Sequence, residues 1–558
     1  MSTRNLDKHY VTLLITSLVL LVWKTGSFLF TESFAGRDLV GAYSLTKVFE
    51  FGWSTDWFLG VPMFQFYPPG FFGLSYYLGL LMGHSTSFKA FVFLSLVIFP
   101  VTSYYCFKTV FDKKVGLISG FAAVFLIFMR EPFSLVYQTL QVGLVAQAMA
   151  LPLLLVFIGL LWKDSRGSAY LSSFVLAAII LTHPYIGLVA VFYLGIYFLL
   201  SKNVFRTFMA SLGLAMSGWW LLRALESSWY MQSFVGPSGQ LVNWPWLFLP
   251  FLFFDRSKKA FSLVLLSMLC LVLGTVSLGP EVQHYRFFIY GQLLVVLAAA
   301  PGIKKVLKRI EDQRNIRSSL LLSVVCLSFV VPVIGLDVEN HWNSETELGE
   351  VVPEDGRILV ETSHEEMYES FVPIQTIPLE SNASVVNGLY ADGSISSPYL
   401  LGLEQAVAEN PVPNPLAVQA NLTENQIKER MNYFGIEYAL VRTDYAREKL
   451  GFMDMESENE DFKLLKHNVS YNRSVEAVKV TGSREDWKDL ERYLFRNELR
   501  TDIIYSKNQG VDITSMSTEE IIGHIESSDS KEEVTLDKES IRPENNSQEV
   551  FGLDYRKQ

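Results

Sequence analysis

Cysteine is scarce in this chain: 558 residues hold three, Cys106, Cys270 and Cys326. None stands at a metal-ligand spacing from another, and all three lie in or beside apolar runs. A disulfide framework and a zinc site are therefore not expected, and the three read as small buried apolar side chains. A basic excess is lacking too. There are 46 Lys and Arg against 57 Asp and Glu, a net charge of −11. That balance excludes the basic face that nucleic acid requires. No glycine-rich nucleotide loop and no Ser-His-Asp arrangement occurs. The opening MSTRNLDKHYVTLLITSLVLLVW lacks a small-residue cleavage site after its apolar run, and reads as a retained first helix.

What is present is apolar sequence, 50% of the chain, unevenly placed. From Tyr10 to Leu336 apolar runs follow one another. From Asp337 to Gln558 the chain reads as soluble protein with an acidic end. A spanning helix needs about 20 mostly apolar residues. Eleven segments meet or approach this: 10–30, 87–107, 115–130, 142–162, 168–183, 185–201, 207–224, 243–254, 261–279, 287–303 and 318–336. Their flanks divide by charge. One set of ends holds eighteen Lys and Arg, among them Lys113, Lys114, Lys258, Lys259, Lys304 and Lys305; the other holds six. The positive-inside rule places the first set, and the N-terminus, in the cytoplasm. An odd number of spans then puts the C-terminal part outside. Residues 66–83 (FYPPGFFGLSYYLGLLMG) are apolar enough to cross, but counting them would move the Lys108–Lys114 cluster outside. They are assigned to the first exterior loop, interfacial or re-entrant.

That loop, residues 31–86, is the most informative stretch. Asp38 stands a few residues beyond the first span. Leu39, Tyr43, Leu45, Val48 and Phe49 then follow at helical spacing, which predicts a helix lying on the membrane over residues 38–50. Trp53, Trp57, Phe58, Phe64, Phe66 and Tyr67 come next, residue types that favour the headgroup level. From the residues alone, Asp38 reads equally as a helix N-cap and as a functional acid.

An acid just outside the first span, a juxtamembrane helix and then Gly60-x-Pro62-x-x-x-x-Tyr67-Pro68-Pro69 resemble the GT-C superfamily of integral-membrane glycosyltransferases. Within it, the chain is most similar to prokaryotic, chiefly archaeal, membrane proteins labelled 6-pyruvoyl-tetrahydropterin synthase-related, although nothing in it looks like a soluble pterin enzyme. The resemblance covers roughly the first 340 residues. It implies an exterior-facing enzyme that takes a sugar from a polyprenyl-phosphate carrier embedded among membrane lipids. It also implies that Asp38 occupies the position of the family's key acid, as general base on the acceptor hydroxyl or as a metal ligand. A second exterior acid is expected after the third span, where Glu131 is available. Asp38 and Glu131 together could share Mg²⁺ or Mn²⁺, which take oxygen ligands; Glu131 could instead pair with Arg130. In similar enzymes a late exterior arginine contacts the lipid-linked phosphate, and Arg286 occupies that place.

Arg286 opens the tenth span, and its planar guanidinium suits bidentate phosphate binding, though snorkelling to headgroups is the alternative. His183, in Thr182-His183-Pro184-Tyr185, interrupts an apolar run on the exterior side; it reads as a phosphate or acceptor ligand, or as a polar turn residue. Lys24 is a charge inside the first span, a functional suspect by default that could also snorkel outward.

The fold expected is thus a polytopic α-helical membrane domain of about eleven spans over 1–336, GT-C-like. An exterior α/β domain follows over 337–510, and an acidic, flexible tail over 511–558. In the exterior part, Arg357–Glu361 and Tyr438–Arg442 read as strands, and Thr423–Tyr433 as a helix opened by a capping box. Acceptor sequons begin at Asn382, Asn421, Asn468, Asn472 and Asn545. Two other functions compete with glycosyl transfer. A transporter or flippase would need an internal repeat or midplane charges, and neither is evident. A non-catalytic anchor presenting the exterior domain would leave Asp38 dispensable.

Overall fold

The structure is a computed structural model that describes residues 8–30, 37–49, 52–54, 61–64, 67–129, 134–141, 143–227, 255–275, 285–314, 323–330, 351–362, 374–379, 381–388, 397–411, 422–468, 477–481 and 502–506, with Phe248, Phe251 and Leu348. The chain divides into two compact units, the first formed by residues 1–50, 64–226 and 233–345, the second by 51–63, 227–232 and 346–558.

The first unit is helical. It holds α1 (Lys8–Phe30), α2 (Arg37–Lys47), α3 (Pro69–Met82), α4 (His84–Val110), α5 (Lys113–Phe128), a π turn (Tyr137–Gln141) and α6 (Val145–Trp162). Then come α7 (Arg166–Thr182), α8 (Pro184–Ser201), α9 (Val204–Ser227), α10 (Lys258–Thr275), α11 (Tyr285–Ala298) and α12 (Ala300–Arg314). Among the described residues, six helical stretches are long and apolar enough to cross a membrane: His84–Val110, Val145–Trp162, Pro184–Ser201, Val204–Leu225, Lys258–Thr275 and Arg286–Asp312. Thr12–Gly26 and Arg166–Thr182 are apolar but shorter. The expected count of eleven is not matched one for one among the described residues. The first span breaks at Thr25, whose φ of −130° and ψ of 16° interrupt α1. The third closes after 16 residues, with Asp112 capping its start by accepting from the Lys114 and Val115 amides. The expected span over 243–254 and the ends of the one over 318–336 lie outside the described residues, as does the tail over 511–558. Residues 66–83 supply α3, a 14-residue helix of roughly 21 Å, short of a hydrocarbon core of about 30 Å. It turns into α4 at Gly83.

In the second unit, a short hairpin pairs β1 (Gly52–Ser54) with β2 (Val61–Met63). A five-stranded sheet is built from β3 (Arg357–Val360), β4 (Ser384–Val385), β5 (Tyr438–Val441), β6 (Asp454–Glu458) and β7 (Lys463–Lys466), in the order β4-β3-β5-β7-β6. The β4-β3-β5 side is parallel and the β5-β7-β6 side antiparallel. Helices that accompany it include α13 (Ser397–Val407), α14 (Glu424–Phe434) and α15 (Asp444–Lys449). Helix α14 has a complete capping box between Thr423 and Gln426, and ends on Gly435 at φ +61°, a left-handed position that glycine tolerates. Two further strands, β8 (Ala477–Thr481) and β9 (Asp502–Ser506), pair in parallel.

Candidate active site

Two of the residues singled out in the sequence, His183 and Arg286, meet where α8 and α11 begin. His183 is the N-cap of α8: it ends α7, and Pro184 takes the first helical position, where its missing N–H costs nothing. Its Nδ1 accepts from the Ile186 amide at 3.4 Å, and its Nε2 lies 3.4 Å from Nη1 of Arg286, in the first turn of α11. Both contacts ask the imidazole for a lone pair. A neutral imidazole has one, and an imidazolium none. If Nδ1 accepts from Ile186, Nε2 carries the proton, and two donors face each other across the gap. An anionic acceptor would satisfy both. His183 is buried, 6% exposed. Tyr185 flanks the pair, its ring 5.6 Å from the guanidinium carbon.

A chain of buried amides extends from this pair. Tyr290, one helical turn after Arg286, places its ring 6.3 Å from that of His183 and donates its hydroxyl to Gln147 Oε1 at 2.9 Å. Gln147 in turn donates to Gln138 Oε1 at 2.7 Å. Gln138 lies in the π turn, a form that often marks functional positions, and α2, the helix that carries Asp38, packs against that turn. Helix α2 also packs on α3, and α3 on α7. There Gly70 approaches the His183 break so closely that a Cβ would stand 2.7 Å from the Leu181 carbonyl oxygen and 2.8 Å from Thr182 Oγ1. The circuit closes: the Asp38 helix, the Pro-Pro-Gly start of α3, His183, Arg286, Tyr290, Gln147 and Gln138 adjoin one another in turn.

The loop before α3 is held from α9. Trp220, fully buried, donates its indole N–H to the carbonyls of Phe64 and Tyr67, 3.2 Å from each. Phe64 has φ of +57°, which a bulky residue adopts only when its surroundings enforce it. Its ring packs on Phe49 at 4.6 Å and Phe72 at 5.7 Å.

Asp38 is the second residue of α2, and its helix runs over 37–47 where the spacing predicted 38–50. Lys24 stands beside the Thr25 break, with its ammonium 4.4 Å from the ring of Trp23. Glu131 and Arg130 lie outside the described residues. Among the described residues no group of three or more His, Cys, Asp and Glu forms a metal cluster. Sequence reasoning missed Gln138, Gln147, Tyr290 and Trp220. A signal existed for the two glutamines, since polar amides within apolar runs seldom lack a role.

No family model matches the chain, and no curated protein matches it. Solved structures do. ArnT from Cupriavidus metallidurans in the apo state is similar with a TM-score of 0.52 at 15% identity, covering 82% of this chain and 98% of that one. The same enzyme bound to undecaprenyl phosphate gives 0.51 at 12%, over 84% and 99%. The Archaeoglobus fulgidus oligosaccharyltransferase tethered with an acceptor peptide gives 0.51 at 11%, over 78% and 69%. The arabinofuranosyltransferase AftD from Mycobacteria gives 0.51 at 14%, over 90% of this chain and 43% of that one. At these identities the likeness is one of fold alone.

Proposed function

We propose that this protein is a membrane glycosyltransferase that moves a sugar from a polyprenyl-phosphate donor to an acceptor on the exterior face. The observation that carries the reading is the His183–Arg286 pair, Nε2 and Nη1 3.4 Å apart, connected through Tyr290, Gln147 and Gln138 to the helix that bears Asp38. A phosphate is the anion such a pair suits: a guanidinium offers parallel N–H donors, and the imidazole adds a third. The neighbour bound to undecaprenyl phosphate supports that choice of anion.

In this reading Arg286 and His183 hold the donor phosphate, and Asp38 faces the acceptor. The Asp38 carboxylate takes the proton of the acceptor hydroxyl as its oxygen attacks the anomeric carbon. The bond from that carbon to the phosphate oxygen breaks, and the lipid phosphate leaves with the electron pair. Arg286 stabilises the negative charge that grows on it. Asp38 and Glu131 have the oxygen chemistry that Mg²⁺ or Mn²⁺ prefers; if such an ion is held, they are its ligands, and it would supply further stabilisation of the leaving phosphate. Lys24 serves as a snorkelling cation beside Trp23 or adds positive charge near the lipid carrier. The charge bias places the N-terminus in the cytoplasm and the unit over 337–510 on the exterior face.

The test is sugar transfer by the purified chain from a polyprenyl-phosphate donor in vesicles. A lipid phosphate released in step with each sugar transferred supports the reading. Lipid movement across the bilayer without sugar release would favour a flippase.

A further inference from the structure

At the other end of the helices that lead away from the His183–Arg286 pair lies a second charged surface, fixed by ion pairs. Helix α8 begins at His183 and runs 18 residues, roughly 27 Å, to Leu200, whose carbonyl accepts from Lys258 Nζ at 3.4 Å. Lys259, beside it, donates to the Val110 carbonyl at the end of α4 at 2.8 Å. Helix α12 completes the surface. Lys304 pairs with Asp112 in the α4–α5 turn, and Lys305 pairs with Asp255 at 3.2 Å. The ends of α4, α8, α10 and α12 are thereby joined, and α12 also packs against α5.

Two of the acids on this surface, Asp112 and Asp255, are engaged by Lys304 and Lys305. The three segments that form it, 108–114, 255–259 and 300–314, hold eleven Lys and Arg against four Asp and Glu. Arg256, Lys258, Lys305 and Lys308 are exposed. Helix α12 is amphipathic, with Ile303, Val306, Leu307 and Ile310 on one stripe and Lys305, Lys308 and Arg309 on the other. Ile303 is buried and the other three apolar residues are partly covered, so the basic stripe faces outward. The distance along α8 is close to the roughly 30 Å of a hydrocarbon core. A site at one membrane boundary therefore puts this surface at the opposite headgroup level.

We infer that this surface binds the anionic phospholipid headgroups of the leaflet opposite the His183–Arg286 site. Charge complementarity names the occupant: a rigid basic surface at headgroup depth attracts anionic lipid, each basic side chain contributing about fivefold to binding. The apolar stripe of α12 anchors the helix while Lys305, Lys308 and Arg309 meet the phosphates. The inference does not depend on glycosyl transfer.

The test uses the full chain in neutral detergent, with phosphatidylglycerol or phosphatidylcholine added as the probe. Retained lipid is read by native mass spectrometry, and the unfolding temperature alongside. Phosphatidylglycerol is expected to be retained preferentially and to raise the unfolding temperature by several degrees more than phosphatidylcholine. Salt at roughly 0.5 M should erase the difference. The triple variant Arg256→Gln, Lys258→Gln, Lys308→Gln should lose on the order of tenfold or more of the preference, whereas Arg256→Lys, Lys258→Arg, Lys308→Arg keeps it. The second variant separates lost charge from lost folding. Equal retention of the two lipids would overturn the inference, as would a preference unchanged in the glutamine variant. A preference lost in Arg286→Gln would also overturn it, by placing the lipid at the other end.

Discussion

His183 and Arg286 are 103 residues apart in sequence and 3.4 Å apart in space, Nε2 to Nη1. Two helix starts bring them together, α8 at Pro184 and α11 at Tyr285. Removing Arg286 should therefore weaken the lipid-phosphate donor in particular. Arg286→Gln is expected to raise KM for that donor by about 10–100-fold, the loss of a charge-assisted pair of hydrogen bonds. Arg286→Lys should recover only part of it, because an ammonium lacks the planar fork. Initial rates against donor concentration check this. A change in kcat alone, with KM untouched, would contradict the phosphate assignment.

Gln147 links Tyr290 to Gln138, and it is 1% exposed. Gln147→Leu would leave a buried hydroxyl and a buried amide oxygen each short of a partner, at about 1–3 kcal/mol. The unfolding temperature in detergent should fall accordingly. Donor KM should rise as well, because Tyr290 would no longer be fixed against His183. Gln147→Glu keeps an acceptor for Tyr290 and should restore more of the donor KM than of the stability. Unchanged donor KM in Gln147→Leu would mean that the amides serve packing only.

Arg206 at the start of α9 is 6% exposed and donates to the carbonyls of Leu160 and Leu161, at 3.1 and 3.2 Å, and to that of Lys163. These carbonyls close the C-terminal end of α6, where the helix's own amides run out. Arg206→Ala should cost about 3 kcal/mol, since several charge-assisted bonds vanish together. Asp164, 3.6 Å away, is fully exposed to solvent, so Asp164→Ala should change the unfolding temperature little. Comparable losses in the two variants would show that the ion pair, not the capping, holds this end.

How far the sequence reached is visible in these residues. His183 and Arg286 were legible because each interrupts or opens an apolar run, where a polar group has few excuses. The helix at Glu424 was legible because Thr423 and Gln426 form a purely local capping box. The positive φ of Phe64 was not legible: it depends on Trp220, 156 residues away, donating to its carbonyl. The Gln138–Gln147–Tyr290 chain was hidden for the same reason, joining three elements that no local pattern connects. The break at Thr25 inside α1 was not legible either, because the composition of that run reads as continuous.

Glu404 in α13 is 7% exposed and accepts from Thr362, just beyond β3. Burial pushes its carboxyl from an ordinary 4.5 up to about 7, against opposing hydrogen bonds from Thr362 and Asn387. The folded state thus holds a proton that the unfolded chain releases. Its contribution is fully present below about pH 4.5 and is lost as pH rises through about 7. The loss amounts to at most about 3 kcal/mol. The unfolding temperature of the wild-type chain should decline from about pH 5 to about pH 8 more steeply than that of Glu404→Gln. Parallel profiles would mean that Glu404 is ionised throughout.

The central claim rests on Asp38, whose helix adjoins the circuit through His183 and Arg286. The most direct measurement is sugar transfer from a polyprenyl-phosphate donor by the wild-type chain and by Asp38→Asn, reconstituted side by side in vesicles. The account expects transfer by the wild type and a fall in kcat of roughly 10²–10⁴-fold in the variant, the worth of a positioned base, with lipid-phosphate binding retained. Equal transfer by the two proteins would contradict it.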